Sequence, residues 1–134
     1  MISIVAPPAV AAGAEFTVVV DIAAVQQLHS APMFVRYDAA RLEFVVAEEG
    51  TFLGQQGGET VFSVNPNPAA GQVVVGYKLA AASGGVAGSG TLFKLTFRAK
   101  MAGDARVELS RMNFRNDAGE HLEVAPAFAV IAVQ

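Results

Sequence analysis

Val35-Arg36-Tyr37-Asp38-Ala39-Ala40-Arg41-Leu42-Glu43-Phe44 reads as the end of one strand, a tight corner and the start of the next. Met33, Val35 and Tyr37 alternate with Phe34, Arg36 and Asp38, which is the period of a pleated strand. Asp38 is suited to open the corner, because its carboxylate can accept hydrogen bonds from the backbone N–H groups just ahead. Leu42, Phe44 and Val46 then alternate with Glu43, Val45 and Ala47, so a second strand follows.

The same period recurs in both directions from this corner. Upstream, residues 2–6 form a first strand that Pro7-Pro8 ends, since proline removes a ladder donor. Residues 11–14 make a turn. Residues 15–22 form a second strand, with Phe16, Val18, Val20 and Ile22 on one face and Thr17, Val19 and Asp21 on the other. Residues 23–27 are read as a short helical turn that could not stand alone. The third strand covers residues 29–38 and the fourth residues 42–48.

Downstream, residues 50–59 read as a glycine-rich loop. A fifth strand over 61–65 is stopped by Asn65-Pro66-Asn67-Pro68. A sixth spans 72–79, with Val73, Val75, Tyr77 and Leu79 on one side. Residues 80–90 are small and flexible, and a seventh strand over 91–100 sets Phe93, Leu95 and Phe97 against Lys94, Thr96 and Arg98. Gly103-Asp104 is read as a turn before an eighth strand. There Val107 and Leu109 share one parity and Met112 and Phe114 the other, which a bulge near Ser110 or Arg111 would reconcile. Residues 116–119 close a turn and 125–133 form the last strand. Many short strands punctuated by Gly, Pro and Asn predict an all-β, two-sheet sandwich of about nine strands in one domain over residues 1–134.

Composition narrows the function classes. At 134 residues and 53% hydrophobic content the chain builds a substantial core and is too apolar for disorder. A net charge of −3 argues against nucleic acid or an anionic membrane as partner. The absence of cysteine removes disulfides and thiolate metal sites. No apolar run approaches the roughly 20 residues that span a bilayer, so direct membrane insertion is not expected. Met1 is followed at once by the strand-like Ile2-Ser3-Ile4-Val5, with no leader pattern. The chain therefore reads as a domain cut from a longer protein, with Met1 added for expression.

The order of these motifs resembles the cohesin domain, the β-sandwich receptor module whose best-known members bind dockerins in cellulosomes. Residues 8–21 resemble its opening turn and strand, and residues 33–44 its hydrophobic strand, Tyr-Asp corner and Leu-Glu continuation. Glu49-Gly50-Thr51-Phe52-Leu53 resembles the loop that follows, residues 88–97 the segment entering the central strand, and residues 112–120 the late Phe-Asn/Asp-Gly turn. One departure is Asp38-Ala39, where many cohesins have Asp-Pro. The resemblance implies a nine-stranded jelly roll that works by binding, without a cofactor. It also implies a parent protein that is extracellular, on the cell surface or periplasmic. Cohesin-like domains occur too in envelope and secretion-associated proteins of organisms without cellulosomes, so a subunit of the parent complex is an alternative to a dockerin-like partner.

Chemistry in the sequence is sparse. His29 and His121 lack a positioned nucleophile or carboxylate, and no nucleophile-elbow or His-Glu-x-x-His pattern occurs. Glu48, Glu49 and Glu59 could form a glycosidase pair but read better as solvated loop residues. Asn116, Asp117 and Glu120 offer oxygen ligands for calcium without the spacing of a helix-flanked loop, and a plain turn is the better reading. In cohesin–dockerin pairs the calcium belongs to the dockerin, so none is required here. The glycines at 84, 85, 88 and 90 precede a strand, and a phosphate loop needs a helix there. No enzyme activity is expected.

A carbohydrate-binding module shares the architecture and is the rival function, with polysaccharide as partner. Its platforms expose aromatic rings, whereas this chain has no Trp and its two tyrosines, Tyr37 and Tyr77, point inward by parity. A structural domain for assembly of the parent protein is the third reading. The resemblance implies docking on one flat sheet made from the third, fifth, sixth and eighth strands. Parity selects the residues there that face away from the core: Pro32, Phe34 and Arg36, Ser63, Val74, Gly76 and Lys78, and Arg106 and Glu108. Phe34 beside Val74, ringed by Arg36, Lys78 and Glu108, has the pattern of an apolar anchor with a charged rim.

Overall fold

The structure, a computed structural model, describes residues 1–81 and 84–134. Among these residues the strands are β1 (Ile2–Val5), β2 (Ala9–Val10), β3 (Glu15–Ser30), β4 (Met33–Tyr37), β5 (Leu42–Glu49), β6 (Thr60–Asn67), β7 (Gln72–Leu79), β8 (Val86–Ala99), β9 (Gly103–Ser110), β10 (Arg115–Asn116) and β11 (Phe128–Val133). Nine of them have four residues or more, and β2 and β10 are two-residue pairings. A single 3-10 turn, Pro68–Ala70, is the one helical element among the described residues.

Two layers pack face to face, the sandwich expected from the alternation. One layer is β5-β8-β3-β1, antiparallel throughout. The other runs β2-β11-β9-β4-β7-β6, antiparallel except for the parallel β2–β11 pair. β3 is long enough to serve both. Its first part pairs with β1 and β8, its far end pairs with β10, and Ser30 pairs with Lys78 of β7.

Period-two alternation places the core. Val18, Val20, Phe93, Leu95 and Phe97 come from one layer, and Met33, Val35, Tyr37, Val73, Val75, Tyr77, Val107 and Leu109 from the other, all buried. Aromatic rings join the layers. Tyr37 of β4 lies 5.2 Å from Phe97 of β8, and Phe62 of β6 lies 6.1 Å from Phe93. The corner forms as its chemistry dictates. Ala40 N–H donates to Asp38 Oδ1 at 3.1 Å, Leu42 N–H to the Asp38 carbonyl at 2.8 Å, and Arg41 pairs with the same carboxylate at 2.9 Å.

Several local expectations are corrected. Residues 23–27 are not a helical turn but part of β3. Ladder pairing with β8 continues there, Val25 to Gly88 and Leu28 to Val86, and the extra residues are absorbed as bulges with Ala24 and Gln27 at φ 56° and 49°. One isolated helical turn could not compete with that ladder. His29 accordingly belongs to β3, and Ala31-Pro32 separates it from β4. β6 runs on through Pro66 to Asn67; it pairs with β7 alone, so the missing donor is tolerated on the open side. β8 begins at Val86 rather than 91, taking in Gly88 and Gly90. The flexible connection read over 80–90 includes residues 82 and 83, which lie outside the described residues. Gly103 and Asp104 start β9 instead of forming a turn, pairing with Val133 and Ala132, and the last strand starts at Phe128. The parity change after β9 falls at Arg111, whose φ is 50°, and it lets Phe114 turn inward to full burial.

The loop after β5 is anchored by more than its glycines. Phe52 and Leu53 are fully buried, Gly50 N–H donates to Leu92 O at 2.8 Å, and the Tyr77 hydroxyl donates to Gly50 O at 3.0 Å. Burial, reinforced by the Glu49 charge, holds the Tyr77 hydroxyl well above the ordinary phenol pKa, so it stays a donor. A Cβ at Gly50 would press on the Thr91 and Leu92 carbonyl oxygens, which are backbone and cannot swing away. Gly50→Ala is therefore expected to cost roughly 2–3 kcal/mol, as overpacking against fixed structure does. Urea denaturation measures it; a loss below about 0.5 kcal/mol, the range of a neutral surface change, would show that the loop has room to retreat.

Candidate partner-binding face

The candidate residues fall on the outer side of one continuous sheet, β6-β7-β4-β9. On β4, Met33, Val35 and Tyr37 point inward, so Phe34 and Arg36 point out, with Pro32 just before them. On β7, Val73, Val75 and Tyr77 point inward and Val74, Gly76 and Lys78 point out. Ser63 of β6 and Arg106 and Glu108 of β9 face the same way.

Register brings these positions together in rows. One row crosses Asn65, Val74, Phe34 and Ser110, another Gln72, Arg36 and Glu108, and a third pairs Ser63 with Gly76. Phe34 and Val74 are thus direct cross-strand neighbours. Phe34 is half-buried, and the Arg111 guanidinium carbon stands 5.3 Å from its ring centroid. Arg106 pairs with Glu108 at 3.3 Å. Gly76 contributes no side chain, and a depression of about 190 Å³ opens there between Pro32, Val61, Ser63 and Lys78.

The sheet supplies residues that the sequence did not single out. β11 pairs with β9 and extends the same face, bringing Phe128, 57% exposed, opposite Glu108 and Val130 opposite Arg106. Arg106 lies over the Phe128 ring at 3.9 Å. Arg111 and Val61 complete the additions. Strand parity would have found Phe128 and Val130, since Ile131 and Val133 mark the inward side, but it could not say which strand β11 adjoins.

The outer side of the other layer differs. There charges answer one another: Arg98 bridges Glu15 at 2.8 Å and Glu43 at 3.6 Å, and Thr91 Oγ1 donates to Asp21 at 2.8 Å. No large ring is exposed on it, although Val5, Val45 and Val46 are.

The residues weighed for chemistry stay apart. His29 Nε2 lies 2.8 Å from Ala81 O, and His121 Nδ1 lies 3.2 Å from Asn113 Oδ1. Glu48 and Glu49 belong to β5, not to the loop, and Glu49 accepts from the Thr60 hydroxyl; Glu59 is exposed beside β6. Asn116 folds its own turn, its Oδ1 accepting from Ala118 and Glu120 N–H at 3.0 and 2.9 Å. Among the described residues no three His, Cys, Asp or Glu side chains are grouped to hold a metal ion. No helix of the described residues is long and apolar enough to cross a membrane. Alanine at His29, His121, Glu48, Glu49 or Glu59 is expected to change stability by about 1 kcal/mol or less and to leave partner binding intact. Turnover of a polysaccharide or ester that vanished with one of these changes would contradict that expectation.

The sequence matches the cohesin domain family over residues 2–133. The chain belongs to the cohesin family. As a cohesin domain it is a protein–protein interaction module with the β-sandwich fold described above. Its fold is similar to a non-cellulosomal cohesin from the hyperthermophilic archaeon Archaeoglobus fulgidus, at TM-score 0.75 and 22% identity over 99% of this chain and 91% of that one. It is similar also to a cohesin module from a Clostridium perfringens family 33 glycoside hydrolase, at TM-score 0.81 and 12% identity, covering 99% and 95%. A third is the sixth cohesin of Acetivibrio cellulolyticus scaffoldin B, solved in complex with a dockerin, at TM-score 0.77 and 19% identity, covering 99% and 97%. Among curated proteins none matches the sequence.

Proposed function

We propose that this cohesin domain is a non-catalytic docking module that binds a dockerin-like protein through the outer face of β6-β7-β4-β9. Its place is within a larger protein outside the cytoplasm. The observation that carries the reading is the outward Phe34–Val74 pair with Arg36 and Glu108 beside it and Lys78 further along β7 on the same face. An apolar centre with a charged rim is how stable interfaces are built. Support also comes from the opposite layer, where Arg98 is paired with Glu15 and Glu43 and the exposed apolar residues are valines rather than an aromatic ring. Both tyrosines are buried, so the face lacks the tyrosine platform a polysaccharide would use.

Isothermal titration of the domain with a panel of dockerin modules, beside a glycan array, tests the proposal. Saturable one-to-one binding of a dockerin with no glycan signal is the expected result. Glycan binding with no dockerin bound would replace it with the carbohydrate reading.

A further inference from the structure

Charge is unevenly distributed over this domain. The chain carries −3 overall. The outer face of β6-β7-β4-β9-β11 presents four cations, Arg36, Lys78, Arg106 and Arg111, against two carboxylates, Asp104 and Glu108, while Asp38 at the end of β4 is neutralised by Arg41. That leaves +2 on the face and −5 on the remainder.

The geometry sharpens the contrast. Arg106 is engaged by Glu108. Arg36, Lys78 and Arg111 make no ion pair among the described residues, whose pairs are Arg41–Asp38, Arg98–Glu15, Arg98–Glu43 and Arg106–Glu108. Two of these free cations, Arg36 and Arg111, flank the Phe34–Val74 pair, and the third, Lys78, lies four residues along β7 from Val74 on the same face. Arg36 is two residues along β4 from Phe34, Arg111 stands over the Phe34 ring, and Lys78 borders the Gly76 depression next to Val74. A second depression of about 190 Å³ is lined by Arg36 and Arg106 together with two carboxylates, Asp38 and Glu108, which are already paired with Arg41 and Arg106. The Arg36 guanidinium there, which no carboxylate among the described residues holds, is shaped to receive one in a bidentate pair.

We infer that the partner of this face is an acidic protein surface, in which aspartate or glutamate side chains surround an apolar residue that packs on Phe34 and Val74. The inference rests on the docking face proposed above and specifies the chemistry of its partner. Three unpaired cations on one face with an apolar centre repel a basic surface and steer an acidic one, so charge sets both selectivity and encounter rate. The same charge disfavours two copies of this chain meeting face to face, since like would meet like.

The test is a phage library of a dockerin module, randomised at its surface positions. It is panned at low salt on the intact domain, with another cohesin as a positive control for the library. Expected binders are lost on Phe34→Ala, are enriched in Asp and Glu and depleted in Lys and Arg. Their affinity falls about tenfold or more between roughly 50 and 500 mM NaCl. Panning on the Arg36→Glu, Lys78→Glu, Arg111→Glu triple variant is expected to select basic sequences instead. Binders that need Phe34 but are neutral or basic would overturn the acidic partner and leave the docking face standing. Binders indifferent to Phe34→Ala, or none where the control yields many, would overturn both. Sedimentation equilibrium is expected to show a monomer; a dimer disrupted by Phe34→Ala would assign the face to self-association.

Discussion

Phe97→Ala is expected to destabilise the domain by about 3–5 kcal/mol, in the range found when large buried aromatics are truncated. Phe97 is 0% exposed and is the hub of three other rings: Phe16 at 6.0 Å, Tyr37 at 5.2 Å and Phe44 at 5.9 Å. Those rings come from β3, β4 and β5, so the cavity left by alanine opens at the junction of both layers. β8 and β4, which carry Phe97 and Tyr37, are held by ladders on both sides and cannot collapse inward to fill the space. For a chain of this length the loss corresponds to a fall in Tm of roughly 10–25 °C. Thermal and urea melts followed by circular dichroism measure it. A loss below about 1 kcal/mol would mean that the layers are less closely joined at Phe97 than its contacts indicate.

Phe34→Ala is expected to separate binding from folding. Its ring is half-buried on the outer side of β4, so truncation removes few core contacts and Tm is expected to stay within a few degrees. In the proposed interface the same ring is the central anchor. Its loss is expected to weaken a dockerin-like partner by at least about 30-fold, as for hot-spot residues worth 2 kcal/mol or more. Titration calorimetry beside a thermal melt reads both quantities. Unchanged affinity with a lowered Tm would make Phe34 a packing residue and move the interface elsewhere.

The alternation of Met33, Val35 and Tyr37 made the inward side of β4 legible from sequence, and with it the outward side. Period two is a property of the strand itself, and so survives without any knowledge of neighbours. The same holds for β7 and β8. What could not be read depends on pairing between distant residues. Residues 23–27 have no alternation because bulges interrupt it, and only Gly88 and Val86 across the ladder keep the segment extended. Pro66 looked like a stop because proline usually is one; that β6 lies at an edge depends on the strand order. Phe128 and Val130 joined the face for a similar reason. Their strand was expected, but its adjacency to β9 is a long-range fact. The uneven charge was likewise hidden, because the cations of the face come from β4, β7, β9 and the residue after it.

The strand that continues through Pro66 has a consequence for how the domain avoids aggregation. Each layer of the sandwich ends in a strand with a free side, which in principle invites a neighbouring copy to zip on and polymerise. β6 meets that hazard with a proline at the seventh of its eight residues. At the far edge of its layer β2 offers only two residues. In the other layer β1 offers four, and β5 is interrupted by a bulge between Phe44 and Val46 and carries Glu43, Glu48 and Glu49. Edges of this kind give the backbone of a neighbouring strand little to pair with.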